Sequence, residues 1–233
     1  MHKHWKYTAL LIAIISLFVL NPMVDHEGAF KLLYSMLLAA VCGGLVLILF
    51  HRRKSRLLAV VLGIPTMVST FTYYLFPSLP PNLASLIFHL LPAGFLTYAV
   101  LILLRTIFHG QGISTDSING AFCGYLLLGL MFGHLFCLVE TWRPGSFNFE
   151  DSTDQLPNEE RRRHALLSYF SIVTLTTVGY GDITPRHGTA RSLACIEAVI
   201  GQFYVGVVIA ELLALKVSNV MRDRLRQEDK VSR

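Results

Sequence analysis

Seven consecutive residues, Thr176-Thr177-Val178-Gly179-Tyr180-Gly181-Asp182, combine types and spacing suited to one chemistry. Successive carbonyls of an ordinary strand point to opposite sides, so turning all of them one way requires alternating backbone hands. Gly179 and Gly181 adopt positive φ without steric penalty. Val178 and Tyr180 supply the other hand and turn their side chains away from the oxygens. Thr177 adds a hydroxyl oxygen at the inner end. Such a segment offers a ladder of oxygens able to replace the water around a bare cation.

A ladder of that kind works only where water is otherwise excluded, and the rest of the chain supplies such a setting. The chain has 233 residues, 53% of them hydrophobic and 15% charged, with a mean hydropathy of +0.53. Soluble domains carry about 25% charged residues, so the composition is that of a membrane protein. Runs of about twenty apolar residues are long enough to cross a hydrocarbon core as helices. Six are expected, near Tyr7–Leu20, Leu32–Phe50, Leu57–Phe76, Leu83–Phe108, Ile118–Thr141 and Ala190–Lys216. Pro65 and Pro92 fall inside the third and fourth, which a membrane helix tolerates. A seventh run, Ala165–Thr176, is too short to span and ends at the oxygen ladder, which suggests a re-entrant half-helix.

Charge placement orients this layout. Six spans with both termini on one side put thirteen Lys and Arg there and seven opposite. The positive-inside rule then makes the termini cytoplasmic, with most acids and the mouth of the ladder outside. The first apolar run follows Lys3 and Lys6 as a secretory signal would, yet no small-x-small cleavage pattern follows Leu20, so a retained helix is expected. The net charge of +5 reads as topology and contact with anionic lipid, not as nucleic-acid binding. Cys42, Cys123, Cys137 and Cys195 lie inside expected spans without CxxC spacing and read as small hydrophobes.

From Ile118 onward the order is helix, outer loop, half-helix, ladder, helix, and over about the last hundred residues this resembles the pore module of the tetrameric potassium channel superfamily. The stretch Tyr169–Pro185 resembles that family's pore helix and TVGYG filter throughout. The chain as a whole also resembles compact bacterial ion-channel proteins with four additional N-terminal membrane helices. The resemblance implies K⁺ coordination by Thr177, Val178, Gly179, Tyr180 and Gly181, supported from behind by Thr176, Asp182, Tyr169 and Phe170. It places bulky rings at Tyr169 and Phe170, with the Tyr169 hydroxyl expected to bond Asp182; generic packing is the other reading of Phe170. Val173 is apolar where some relatives place a glutamate. Gly201, twenty residues beyond Gly181, takes the place of the family's hinge glycine. Gly206 competes for that role, and either glycine can instead serve a close helix–helix contact.

Glu197 and Glu211 are the acids expected inside the last span. Structural pairing is expected for both, Glu197 with Arg191 and Glu211 with Lys216 or Arg105; Glu211 in the inner vestibule is the alternative. The fourth span carries a single arginine, Arg105, which argues against a conventional voltage sensor. Among nine histidines, His89 and His134 fall in spans, and His164 and His187 flank the pore loop; polar packing is expected, with proton modulation the alternative. The acidic loop from Glu140 to Glu160 is expected to be a solvated turret.

These readings define an all-α membrane protein with six transmembrane helices, a re-entrant pore helix and a filter loop, the pore closing as a tetramer. Residues 1–110 form an N-terminal membrane region, 111–219 the pore domain and 220–233 a short basic cytoplasmic tail. The expected function is passive K⁺ conduction by a homotetramer in the plasma membrane. A weakly selective cation channel and a non-conducting channel-like or transporter subunit are the alternatives. No enzyme chemistry, cofactor beyond the permeant ion, nucleic acid or soluble ligand is expected, and the partners are further copies of the chain and membrane lipid.

Overall fold

The structure, a computed structural model, describes residues 6–20, 28–49, 53–75, 81–108, 115–149 and 159–231. It comprises α1 (Lys6–Leu20), α2 (Gly28–Leu49), α3 (Arg53–Leu75), α4 (Pro81–Phe108), α5 (Thr115–Trp142), β1 (Phe147–Phe149), α6 (Glu159–Leu175), β2 (Ile183–Pro185), α7 (Gly188–Phe203) and α8 (Ala210–Val231). A π-helical segment, Tyr204–Ile209, joins α7 to α8 without a break. The acidic stretch between residues 150 and 158 lies outside the described residues.

α5 is the organising element. It packs against α1, α4, α6 and α7, while α2 and α3 pack on one another and reach it through α1 and α4. Phe88, Phe95, Phe132, Phe136, Leu127, Leu167 and Leu175 are among the large side chains fully buried in the bundle. Polar bonds pin the start of α1 to the start of α5: Tyr7 N–H donates to Asp116 at 3.2 Å, and Asn119 donates to Thr8 at 2.8 Å.

Among the described residues, three helices are long and apolar enough to cross a membrane, over Leu86–Ile107, Asp116–Trp142 and Gly188–Arg222. The other three expected spans coincide with α1, α2 and α3, whose apolar stretches within the described residues are shorter: Tyr7–Leu20, Met36–Leu47 and Leu57–Ser69. α3 and α4 continue through Pro65 and Pro92.

The helix before the ladder begins six residues earlier than its apolar run, at Glu159 instead of Ala165. Glu and Arg are good helix formers, and Glu159 and Glu160 suit the positive end of a helix dipole. Helix propensity thus extends α6 beyond the segment that hydrophobicity alone would mark. A second feature absent from the sequence reading is an antiparallel ribbon, with Phe147 opposite Pro185, Asn148 opposite Thr184 and Phe149 opposite Ile183. The ribbon ties the loop after α5 to the segment that follows the ladder.

Candidate functional site: the loop between α6 and α7

α6 ends in a helix stop that aims the loop. Thr177 has φ +60°, its N–H donates to the Thr174 carbonyl at 3.0 Å, and the Val178 N–H donates to the Val173 carbonyl at 3.0 Å. This is the paired bonding of a Schellman motif, whose left-handed position is usually glycine. A β-branched residue at positive φ is an outlier, costing about 1–2 kcal/mol. Gly179 and Gly181 follow with φ +58° and +85°, so the segment has the alternating hand that its glycines predict. The first donors of the loop are spent on α6. Among the described residues, no hydrogen bond ends on the carbonyls of Thr177, Val178, Gly179 or Tyr180. Val178 and Tyr180 stand 52% and 71% exposed on the single chain.

Behind the loop, several side chains fix the end of α6. The Tyr125 hydroxyl of α5 donates to the Leu175 carbonyl at 2.9 Å. Gly201 of α7 lies against that same carbonyl, so close that a Cβ there would sit 2.5 Å from it. Thr176 turns its hydroxyl back to the Ile172 carbonyl at 2.6 Å. The Tyr169 hydroxyl lies near the Asp182 carboxylate. Phe170 faces the other way, into a three-ring cluster with Phe136 and Phe147 whose centroids lie 5.1 and 5.4 Å from it, all edge to face. Its contacts are with α5 and β1.

Glu197 is fully buried and meets Ser171 of α6, not Arg191. Arg191 instead donates from Nε to the Pro185 carbonyl at 3.1 Å. The Ser171 hydroxyl also lies 2.6 Å from the Gly129 carbonyl. One hydroxyl proton cannot serve both oxygens, so the arrangement closes when Ser171 donates to Gly129 and a protonated Glu197 donates to Ser171. α5, α6 and α7 are thereby joined at one point. Glu140 is likewise buried, accepting from the Gly145 N–H at 2.8 Å and the Phe147 N–H at 3.2 Å. It belongs to the turn before β1, and is not part of a solvated turret.

The two candidate hinge glycines have different surroundings. Gly201 is buried against Leu175, whereas Gly206 has nothing within 4 Å of a built Cβ and sits inside the π-helical segment. Tyr204 opens that segment and donates its hydroxyl to the Ala121 carbonyl of α5 at 2.8 Å. Gln202 approaches the Thr177 hydroxyl at 3.5 Å. Glu211 is exposed at the start of α8, and Arg105 is exposed in the last turn of α4. Tyr125, Ser171, Gln202 and Tyr204 were not legible as site residues. Each acts through a contact between helices, and spacing along one helix does not reveal such contacts.

A family model described as "Ion channel" matches residues 162–216, which run from α6 through the loop into α8. Two pore potassium channel a from rice (Oryza sativa subsp. japonica) is 31% identical over 88 residues, covering 38% of this chain and 24% of that protein. Two pore potassium channel b from the same organism is 30% identical over 108 residues, covering 46% and 26%. Two-pore potassium channel 1 of Arabidopsis thaliana is 48% identical over 42 residues, covering 18% and 12%. The chain therefore spans about a quarter or less of the length of these relatives. No solved structure matches.

The apolar helices suit a membrane protein, and the matched stretch places α6, the loop and α7 alongside ion channels. Over residues 162–216 the chain is similar to ion channels, and the relatives that share part of its sequence are named as potassium channels.

Proposed function

We propose that four copies of this chain assemble around a central axis in the plasma membrane and pass K⁺ passively down its electrochemical gradient. The observation that carries the reading is the alternation of backbone hand at Thr177, Gly179 and Gly181, with the carbonyls between them left free. These 233 residues hold one such segment, and a cage around K⁺ needs oxygens from four. Val178, Tyr180 and the outward face of α7 would then meet neighbouring chains. α6 is the pore helix in this reading, its C-terminal end directed at the inner cavity, where the helix dipole favours a cation. Thr177 contributes hydroxyl and carbonyl at the inner end, and Gly181 lies at the outer mouth.

Six spans with both termini cytoplasmic remain the layout that best fits the basic residues. With Arg105 alone near the end of α4, opening does not depend on a conventional voltage sensor. The inner helix bends in the π-helical segment at Gly206, since π-bulges mark places where a helix gives way, while Gly201 keeps α7 close to the pore helix.

Purified protein in planar bilayers tests the reading. Discrete K⁺ currents blocked by Ba²⁺ are expected, reversing near the K⁺ equilibrium potential in opposed K⁺ and Na⁺ gradients. Gly179→Ala should abolish them or remove the preference for K⁺. A reversal potential near zero in the wild type would make this a weakly selective cation channel. Unchanged selectivity in the mutant would falsify the filter assignment, and a silent, well-assembled wild type would favour a non-conducting or transporter subunit.

A further inference from the structure

Three histidines that lie far apart in the sequence meet in the interior. His89 comes from α4, His134 from α5 and His164 from α6, and all three are buried. One ring nitrogen from each lies within 4.8 Å of the other two, and His89 Nδ1 and His134 Nδ1 are 3.1 Å apart. The rings are not a random contact. His89 and His164 stack with planes 19° apart, and Phe88 presents an edge to all three, with centroids 4.9 to 5.8 Å away.

Hydrogen bonding leaves this corner incomplete. Among the described residues four buried side-chain polar atoms find no partner, and three belong here: both ring nitrogens of His164 and the Ser168 hydroxyl. Ser168 stands one turn beyond His164 and packs against Gly133, the residue before His134. Buried polar atoms are nearly always satisfied, and a cluster of exceptions calls for an ion or water. Polar packing of three neutral rings accounts for the His89–His134 contact but leaves His164 idle.

We propose that His89, His134 and His164 form a binding site for a zinc-class divalent metal ion. Imidazole nitrogens at 2.0–2.1 Å around a tetrahedral ion stand about 3.3 Å apart, close to the 3.1 Å separation of His89 and His134. The third ring closes the site by moving about 1.5 Å, within reach of a small side-chain rotation. Three histidines leave a fourth position for water, and Ser168 is the nearby hydroxyl available to hold it. The apolar wall around Phe88 limits exchange with solvent. An ion here joins α4, from the peripheral helices, to α5 and to the beginning of α6.

The test uses the full-length protein in detergent, stripped with a chelator, re-equilibrated with Zn²⁺ and desalted. About one Zn²⁺ per chain is expected by elemental analysis, with a rise in the thermal midpoint, and Co²⁺ in its place should show the visible bands of a four-coordinate site. His164→Phe keeps the volume and the aromatic packing, and its Zn²⁺ affinity should fall at least tenfold; His187→Ala should bind as wild type does. Monodisperse wild type that retains no Zn²⁺, or His164→Phe that retains a full equivalent, overturns the site. Should that variant fail to fold, X-ray absorption at the zinc edge of the wild type decides: an imidazole shell supports the proposal, and a purely oxygen shell removes it.

Discussion

Thr177 is the residue at which structure and function pull apart. A helix stop prefers glycine at its left-handed position, and glycine would relieve the strain of a β-branched side chain there. In the proposed filter the hydroxyl stands at the inner end of the oxygen ladder, which gives a reason to keep threonine. Thr177→Gly should therefore raise the unfolding midpoint by the equivalent of about 1 kcal/mol while reducing K⁺ preference over Na⁺. Thermal melts paired with reversal potentials read both effects, and a less stable variant would contradict the strain argument. The ladder glycines were legible in advance because few residue types tolerate positive φ. Thr177 was not, because its backbone conformation comes from the bonds that Val173 and Thr174 accept. No property of threonine itself announces it.

Among the elements, α6 is held by three contacts from two helices: Tyr125 of α5 at its terminal carbonyl, and from α7 Gly201 against that same carbonyl and Glu197 through Ser171. Gly201→Ala places a methyl 2.5 Å from the Leu175 oxygen, a clash worth about 1–3 kcal/mol. It should lower thermal stability and disturb selectivity. Gly206→Ala meets open space and favours the helical state by about 0.5–1 kcal/mol, so it should leave stability unchanged or raised while reducing open probability. Single-channel records and melting curves of the pair distinguish a packing glycine from a bending one. The helices themselves were legible from apolar runs, with ends set a few residues off by charged helix formers such as Glu159 and Arg161. The β1–β2 ribbon was hidden, since three-residue strands such as Phe147–Phe149 carry almost no periodicity. The π-helical segment was equally silent; it opens at Tyr204, whose anchor on α5 is a contact between helices.

At the scale of the whole molecule, the described chain is well packed on one flank and bare on the other. α4 and α5 bury much of their apolar surface, whereas Ile196, Val199, Phe203, Val207 and Leu213 along α7 to α8 are exposed. α1 and α4 meet α6 and α7 through α5, and the histidine cluster lies on that route, where residues of α4, α5 and α6 converge. Composition alone revealed a membrane protein, but it could not show that residues 45 and 30 positions apart would converge, because helix–helix registry is a property of the folded bundle.

The proposed assembly of four copies has a genetic corollary. If four copies build the pore as proposed, then altered and normal copies made in equal amounts and mixing freely leave only about one assembly in sixteen with all four strands from the normal allele. A defective Gly179→Ala product should accordingly act as a poison, cutting K⁺ flux in co-expressing cells to near a sixteenth instead of a half. A simple halving would mean that each polypeptide conducts on its own.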